Sequence, residues 1–120
     1  MSTRSAVSQL VAADTLTGDS QTSAVHGVGG RFFHTLYISY TPGAATGNTL
    51  ALEFDISPDG GTTWFNFDTP TPITATGTEA QNSVVTYGDH IPTDQIRIRY
   101  WETGTPSPYG TLSAWIVSSN

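Results

Sequence analysis

Ten acidic residues against four arginines and no lysine give this 120-residue chain a formal charge of −6, which excludes the clustered basic surface needed to bind nucleic acid and any attraction to an anionic membrane. Zero Cys excludes a disulfide framework and a thiolate metal site, and no apolar run approaches the roughly 20 residues of a spanning helix. Packing must therefore hold one domain together, and the abundance of Thr, Ser, Gly and aromatics over helix formers makes the predicted class all-β.

Residues 1–13, MSTRSAVSQLVAA, have Val7, Leu10 and Val11 as their only real apolar weight. The pattern fits one helical turn, an edge strand, an arm or a disordered terminus. The reading adopted is an extended N-terminal arm, ordered against something else, ahead of a single domain over 14–120. Ser5, Ser8 and Gln9 interrupt any apolar centre, which argues against a signal peptide.

A turn around Thr17-Gly18-Asp19 leads into a short strand over 21–28, closed by Gly29-Gly30. Residues 31–41 alternate Leu36, Ile38 and Tyr40 with Thr35, Tyr37, Ser39 and Thr41, so one face enters the core. After a Gly, Ala and Thr loop over 42–48, residues 50–67 alternate apolar and polar on both sides of Pro58-Asp59-Gly60-Gly61, the signature of a β-hairpin. Pro70 and Pro72 end that pattern, and 73–82 reads as a polar surface excursion.

Strands follow over 83–87, over 95–102 with Ile96, Ile98 and Tyr100 against Arg97, Arg99 and Trp101, and over 111–118 with Leu112, Ala114 and Ile116 against Ser113, Trp115 and Val117. Seven or eight strands at roughly 8–15-residue spacing predict a two-sheet antiparallel sandwich, jelly-roll-like in character. No segment repeats, which disfavours a propeller or solenoid.

Few residues suggest chemistry. Ser57, Asp59, Gly60, Gly61, Thr63 and Trp64 match S-x-D-x-G-x-T-W, so the hairpin over 57–64 resembles an Asp-box. Turn chemistry accounts for these residues: side-chain bonding for Asp59, positive φ for the glycines, a buried anchor in Trp64. Asp55, Ser57, Asp59 and Gly60 imitate the start of a calcium loop, but Asn66 stands where the bidentate Glu belongs and the flanks read as strands.

His26, His34 and His90 lack metal-ligand spacing, and no nucleophile elbow or phosphate loop is present, so neither an enzyme nor a cofactor site is expected. Glu53 and Asp55 share the i, i+2 spacing of Arg97 and Arg99, and would face them if their strands are neighbours. The competing role for those arginines is contact with a partner. Trp101, Tyr109, Trp115, Tyr87 and Tyr37 suit either a sugar-stacking platform or an interface, and the interface reading is preferred. Candidate interface residues are thus Val7, Leu10, Val11, Arg97, Arg99, Trp101, Tyr109 and Trp115.

In their order along 13–118, Thr17 to Ser20, L-Y-I-S-Y, Thr49 to Glu53, Ser57-Pro58-Asp59-Gly60 before Trp64, Ile96 to Tyr100 and Pro106-Ser107-Pro108 resemble small tailed-phage virion proteins encoded among head genes. The resemblance implies a non-enzymatic capsid decoration or cement protein on the virion surface, whose partners are the major capsid protein and copies of itself, a trimer being one such assembly. Pro70-Thr71-Pro72 and the absence of lysine depart from that group. The alternatives are a glycan- or receptor-binding module of a tail or fibre, or a minor head-completion or tail protein.

Overall fold

A computed structural model describes residues 5–43, 47–104 and 108–120. These form ten strands: β1 (Ser5–Thr15), β2 (Gln21–Thr22), β3 (His26–Gly27), β4 (Phe33–Thr41), β5 (Thr49–Ser57), β6 (Phe65–Asp68), β7 (Ile73–Thr74), β8 (Gln81–Tyr87), β9 (Gln95–Thr103) and β10 (Thr111–Ser119). One sheet runs β1-β10-β4-β8 and the other β2-β9-β5-β6, with β3 added to β9 and β7 to β5. Taking β2 with β3, and β6 with β7, as interrupted single strands leaves four strands in each sheet, all antiparallel neighbours, in the order of a jelly roll.

Period-2 alternation explains the core. Leu36, Ile38 and Tyr40 of β4 and Leu112, Ala114 and Ile116 of β10 face inward from the first sheet. Leu50, Leu52 and Phe54 of β5 and Ile96, Ile98 and Tyr100 of β9 meet them from the second. One slip of register would turn each of these sets to solvent, so the hydrophobic pattern fixes the pairing.

The segment expected to be an arm is, over Ser5–Thr15, the edge strand of the first sheet, paired with β10 from Ser5↔Ser119 to Thr15↔Thr111. Its register shifts between Gln9 and Val11 and again between Val11 and Asp14. These irregularities let two consecutive residues, Leu10 and Val11, both enter the core. Consecutive burial breaks the two-residue period, which is why the stretch does not read as a strand. The strand expected over 21–28 is two short pieces that both pair with β9, interrupted where Ala24 turns aside and its N–H donates to Leu10 O of β1 at 3.0 Å, while Ser23 N–H still donates to Ile98 O of β9 at 2.9 Å. Gln81 and Asn82, expected in a surface excursion, begin β8.

Glu102 ties the two sheets together at one end. Fully buried, it accepts the Tyr40 hydroxyl at 2.7 Å, Asn48 Nδ2 at 2.9 Å and the Gly110 N–H at 2.7 Å. Gly110 sits so close to the chain at Thr41 that an added Cβ would lie 2.2 Å from the Thr41 carbonyl oxygen, so no other residue fits.

Candidate functional site: an uncharged sheet face

The outer face of β1-β10-β4-β8 is built almost entirely from uncharged side chains. Neither β4, β8 nor β10 contains an Asp, Glu, Lys or Arg, and β1 contributes only Asp14 near its end. Pairing aligns Gln9, Trp115, Tyr37 and Val84 in one row, and Val7, Val117, Thr35 and Thr86 in the next. Tyr37 and Val84 are 42% and 57% exposed, far above a core residue, and with half-buried Trp115 they line a shallow apolar depression bordered by Ser39 and Asn82. An aromatic and aliphatic centre with a Ser, Thr, Gln and Asn rim is the composition of a binding interface.

The opposite sheet carries its charge in pairs. Register places Glu53 opposite Arg99 and Asp55 opposite Arg97. Asp55, fully buried, accepts from Arg97 Nε at 3.1 Å and Arg99 Nε at 2.6 Å; Arg99 also reaches Glu53. Burial opposes ionisation of Asp55, but hydrogen bonds from Arg99, Arg97 and Asn66 outweigh it and hold the carboxyl below its usual range. Both arginines offered as partner contacts are thus engaged within the chain. Asp55→Ala should cost about 2 kcal/mol, less than for a wholly buried pair because the arginines keep 23% and 30% of their side chains exposed. Denaturant midpoints measure this, and a loss indistinguishable from zero would show the cluster to be solvated decoration.

The 58–64 turn is held by its own polar groups. Ser57 Oγ donates to Asp59 Oδ1 at 2.9 Å, the Gly61 N–H donates to Ser57 Oγ at 2.9 Å, and the Thr63 N–H to Asp59 Oδ1 at 2.8 Å. Gly60 and Gly61 have φ of 73° and 91°, which side chains rarely adopt. Trp64 is only half-buried: its Nε1–H donates to Gly61 O at 3.0 Å while the Arg97 guanidinium lies 4.3 Å from its ring centroid. It is therefore an outer stacking surface for Arg97 instead of the buried anchor expected.

The other predicted site residues are dispersed. Leu10 and Val11 belong to the core, whereas Val7 is exposed on β1. Trp101 lies on the second sheet beside Glu53, Arg99 and Asp19, so it cannot share a platform with Trp115. Tyr109 packs partly against the core near Gly18. Tyr87 stacks on Phe54 with centroids 4.5 Å apart and donates its hydroxyl to Asp68 at 2.7 Å. Sequence reading missed Val84 as a member of the apolar row; the readable signal was the absence of charge from three whole strands.

His26 and His34 are buried and joined through Ser118, whose Oγ lies 2.9 Å from His26 Nε2 and 2.6 Å from His34 Nδ1. Ser8 Oγ lies 2.7 Å from His26 Nδ1. Ser118 is fully buried and so has no access to a substrate. Among the described residues no three His, Cys, Asp or Glu converge in a way that could hold a metal ion.

The fold is an all-β, jelly-roll-like sandwich of two antiparallel sheets. No family model matches the sequence, nor does any curated protein. Solved structures are similar in fold. A chain in the structure of the infectious bursal disease virus Gx strain superposes with a TM-score of 0.59 at 12% identity, covering 97% of this chain and 32% of that one. This protein thus spans about a third of the viral chain. The CBM36-1 domain of a multidomain xylanase from the hindgut metagenome of Trinervitermes trinervoides gives a TM-score of 0.56 at 9% identity, covering 98% of both chains.

Proposed function

We propose that this protein is a non-enzymatic virion structural protein, a decoration or cement protein that docks on the major capsid subunits of a tailed phage through the outer face of β1-β10-β4-β8. The observation behind this reading is the charge-free face centred on Trp115, Tyr37 and Val84 in a chain of formal charge −6. A cement protein acts by burying surface against several neighbours, so that modest contacts multiply and each stabilises a joint. An acidic chain suits that position because it need not meet the genome.

Quantitative mass spectrometry of purified particles encoding this chain should find it at a copy number comparable to the major capsid subunit. Trp115→Ala should weaken particle binding at least about tenfold, the loss expected of a central aromatic anchor. A handful of copies per particle, or full binding by that variant, would overturn the role.

A second reading, a glycan-binding module of a tail or fibre, draws on exposed Tyr37 and half-buried Trp115 beside Asn82 and Ser39. The fold likeness to a carbohydrate-binding domain is compatible with it. Sugar binding that disappears in Trp115→Ala and survives in Trp101→Ala, on the opposite sheet, would favour this second role.

A further inference from the structure

An edge strand presents unpaired N–H and C=O groups, and proteins blunt such edges with charges, proline, bulges or short strands. Three edges of this sandwich are blunted. β1 carries two register shifts, β2 and β3 are two-residue pieces, and β6 has four residues and runs into Pro70 and Pro72. The fourth is not. β8, Q-N-S-V-V-T-Y, keeps unbroken register with β4 from Tyr40↔Gln81 to His34↔Tyr87 and contains no charge, proline, glycine or bulge.

We propose that β8 is an association edge, at which a second copy of this chain pairs antiparallel about a two-fold axis and continues the β1-β10-β4-β8 sheet. The strand is its own complement. An axis through Val84 sets Val84 against itself, Asn82 against Thr86 and Ser83 against Val85, and each pair shares a face.

Electrostatics favours the same joint. Two chains of charge −6 repel, and they meet with least repulsion where neither presents an acid. The formal charges nearest in sequence are Glu79 and Asp89, which flank β8, and nearby in space Asp68 accepts the Tyr87 hydroxyl. All are negative, so added salt should strengthen the association. Pairing also joins the Trp115, Tyr37 and Val84 row to its copy, doubling the apolar stripe. Ser83 to Thr86 of β8 and the Asp68 to Thr71 segment line one groove, and the added strand would enter beside that segment. The proposal does not rest on capsid docking.

Because the chain has no cysteine, single substitutions report contact cleanly. Sedimentation equilibrium should show a dimer that tightens with salt. Val84→Lys should weaken it at least about tenfold without shifting the melting temperature, since that side chain is 57% exposed. Under mild oxidation Val84→Cys should cross-link to itself, because opposed Cβ atoms sit about 5 Å apart. Thr86→Cys alone should not, whereas mixed with Asn82→Cys it should. A wild-type monomer up to about 1 mM, a dimer untouched by Val84→Lys, or equal cross-linking through Thr86→Cys alone would each overturn the proposal.

Discussion

Glu102→Ala is expected to remove about 4 kcal/mol of stability, a large fraction of the roughly 5–15 kcal/mol that holds a domain folded. The carboxyl accepts three buried donors from three parts of the chain: Tyr40 on β4, Asn48 before β5 and Gly110 before β10. Truncation removes this acceptor from all three, and a buried donor that loses its partner costs about 1–3 kcal/mol, tempered by local relaxation. Burial and the bond to Glu102 push the Tyr40 phenol far above its ordinary pKa, so it stays a donor at any working pH. Glu102→Gln should fall between, since one amide oxygen can serve Tyr40 and Asn48 while the amide nitrogen opposes the Gly110 N–H. Urea midpoints measure both variants. If the alanine variant unfolds within about 1 kcal/mol of the parent, water replaces the carboxyl and the clamp holds nothing.

Acid should weaken the fold in a window set by two histidines. Burial lowers the pKa of His26, with Arg31 adding to the effect; burial also lowers that of His34, opposed by a contact with the Ile91 backbone and reinforced by His26. In one consistent neutral arrangement Ser8 donates to His26 Nδ1, His26 Nε2–H donates to Ser118, and Ser118 donates to His34 Nδ1. With both rings protonated, two N–H groups would converge on Ser118 and its own hydroxyl hydrogen would have no acceptor.

The sign follows from the lowered pKa values. Below about pH 6.5 the unfolded chain takes up protons that the native chain refuses, so stability falls as pH falls. The slope reaches about 2.7 kcal/mol per pH unit with both histidines contributing. Asp55 and Asp59 have depressed values too, and their contribution is lost only at lower pH, as they fall from an ordinary 3.8. Stability measured from pH 7.5 to 5 should therefore decline in the parent and decline about half as steeply in His26→Gln. A flat profile in the parent would refute the histidine account.

Much of this architecture was legible because four long strands keep strict alternation. Leu36 to Tyr40, Leu50 to Phe54, Ile96 to Tyr100 and Leu112 to Ile116 all bury the residues their period selects. The i, i+2 spacing of Glu53 and Asp55 against Arg97 and Arg99 likewise anticipated their register. What escaped lay where local pattern and tertiary need diverge. β1 hides behind bulges that bury Leu10 beside Val11. The histidine chain joins positions 8, 26, 34 and 118, which sequence spacing cannot bring together. The uncharged face was visible only as what three strands omit.

The pairing of Glu53 and Asp55 with Arg97 and Arg99 cancels four charges on the second sheet, while the first carries only Asp14 near the end of β1. The surplus negative charge falls to exposed turns, among them Asp19, Asp59, Glu79, Asp89 and Asp94. Any surface coated by this protein through its uncharged side consequently keeps those turns hydrated and acquires a negative zeta potential, and coated objects stay dispersed by mutual repulsion.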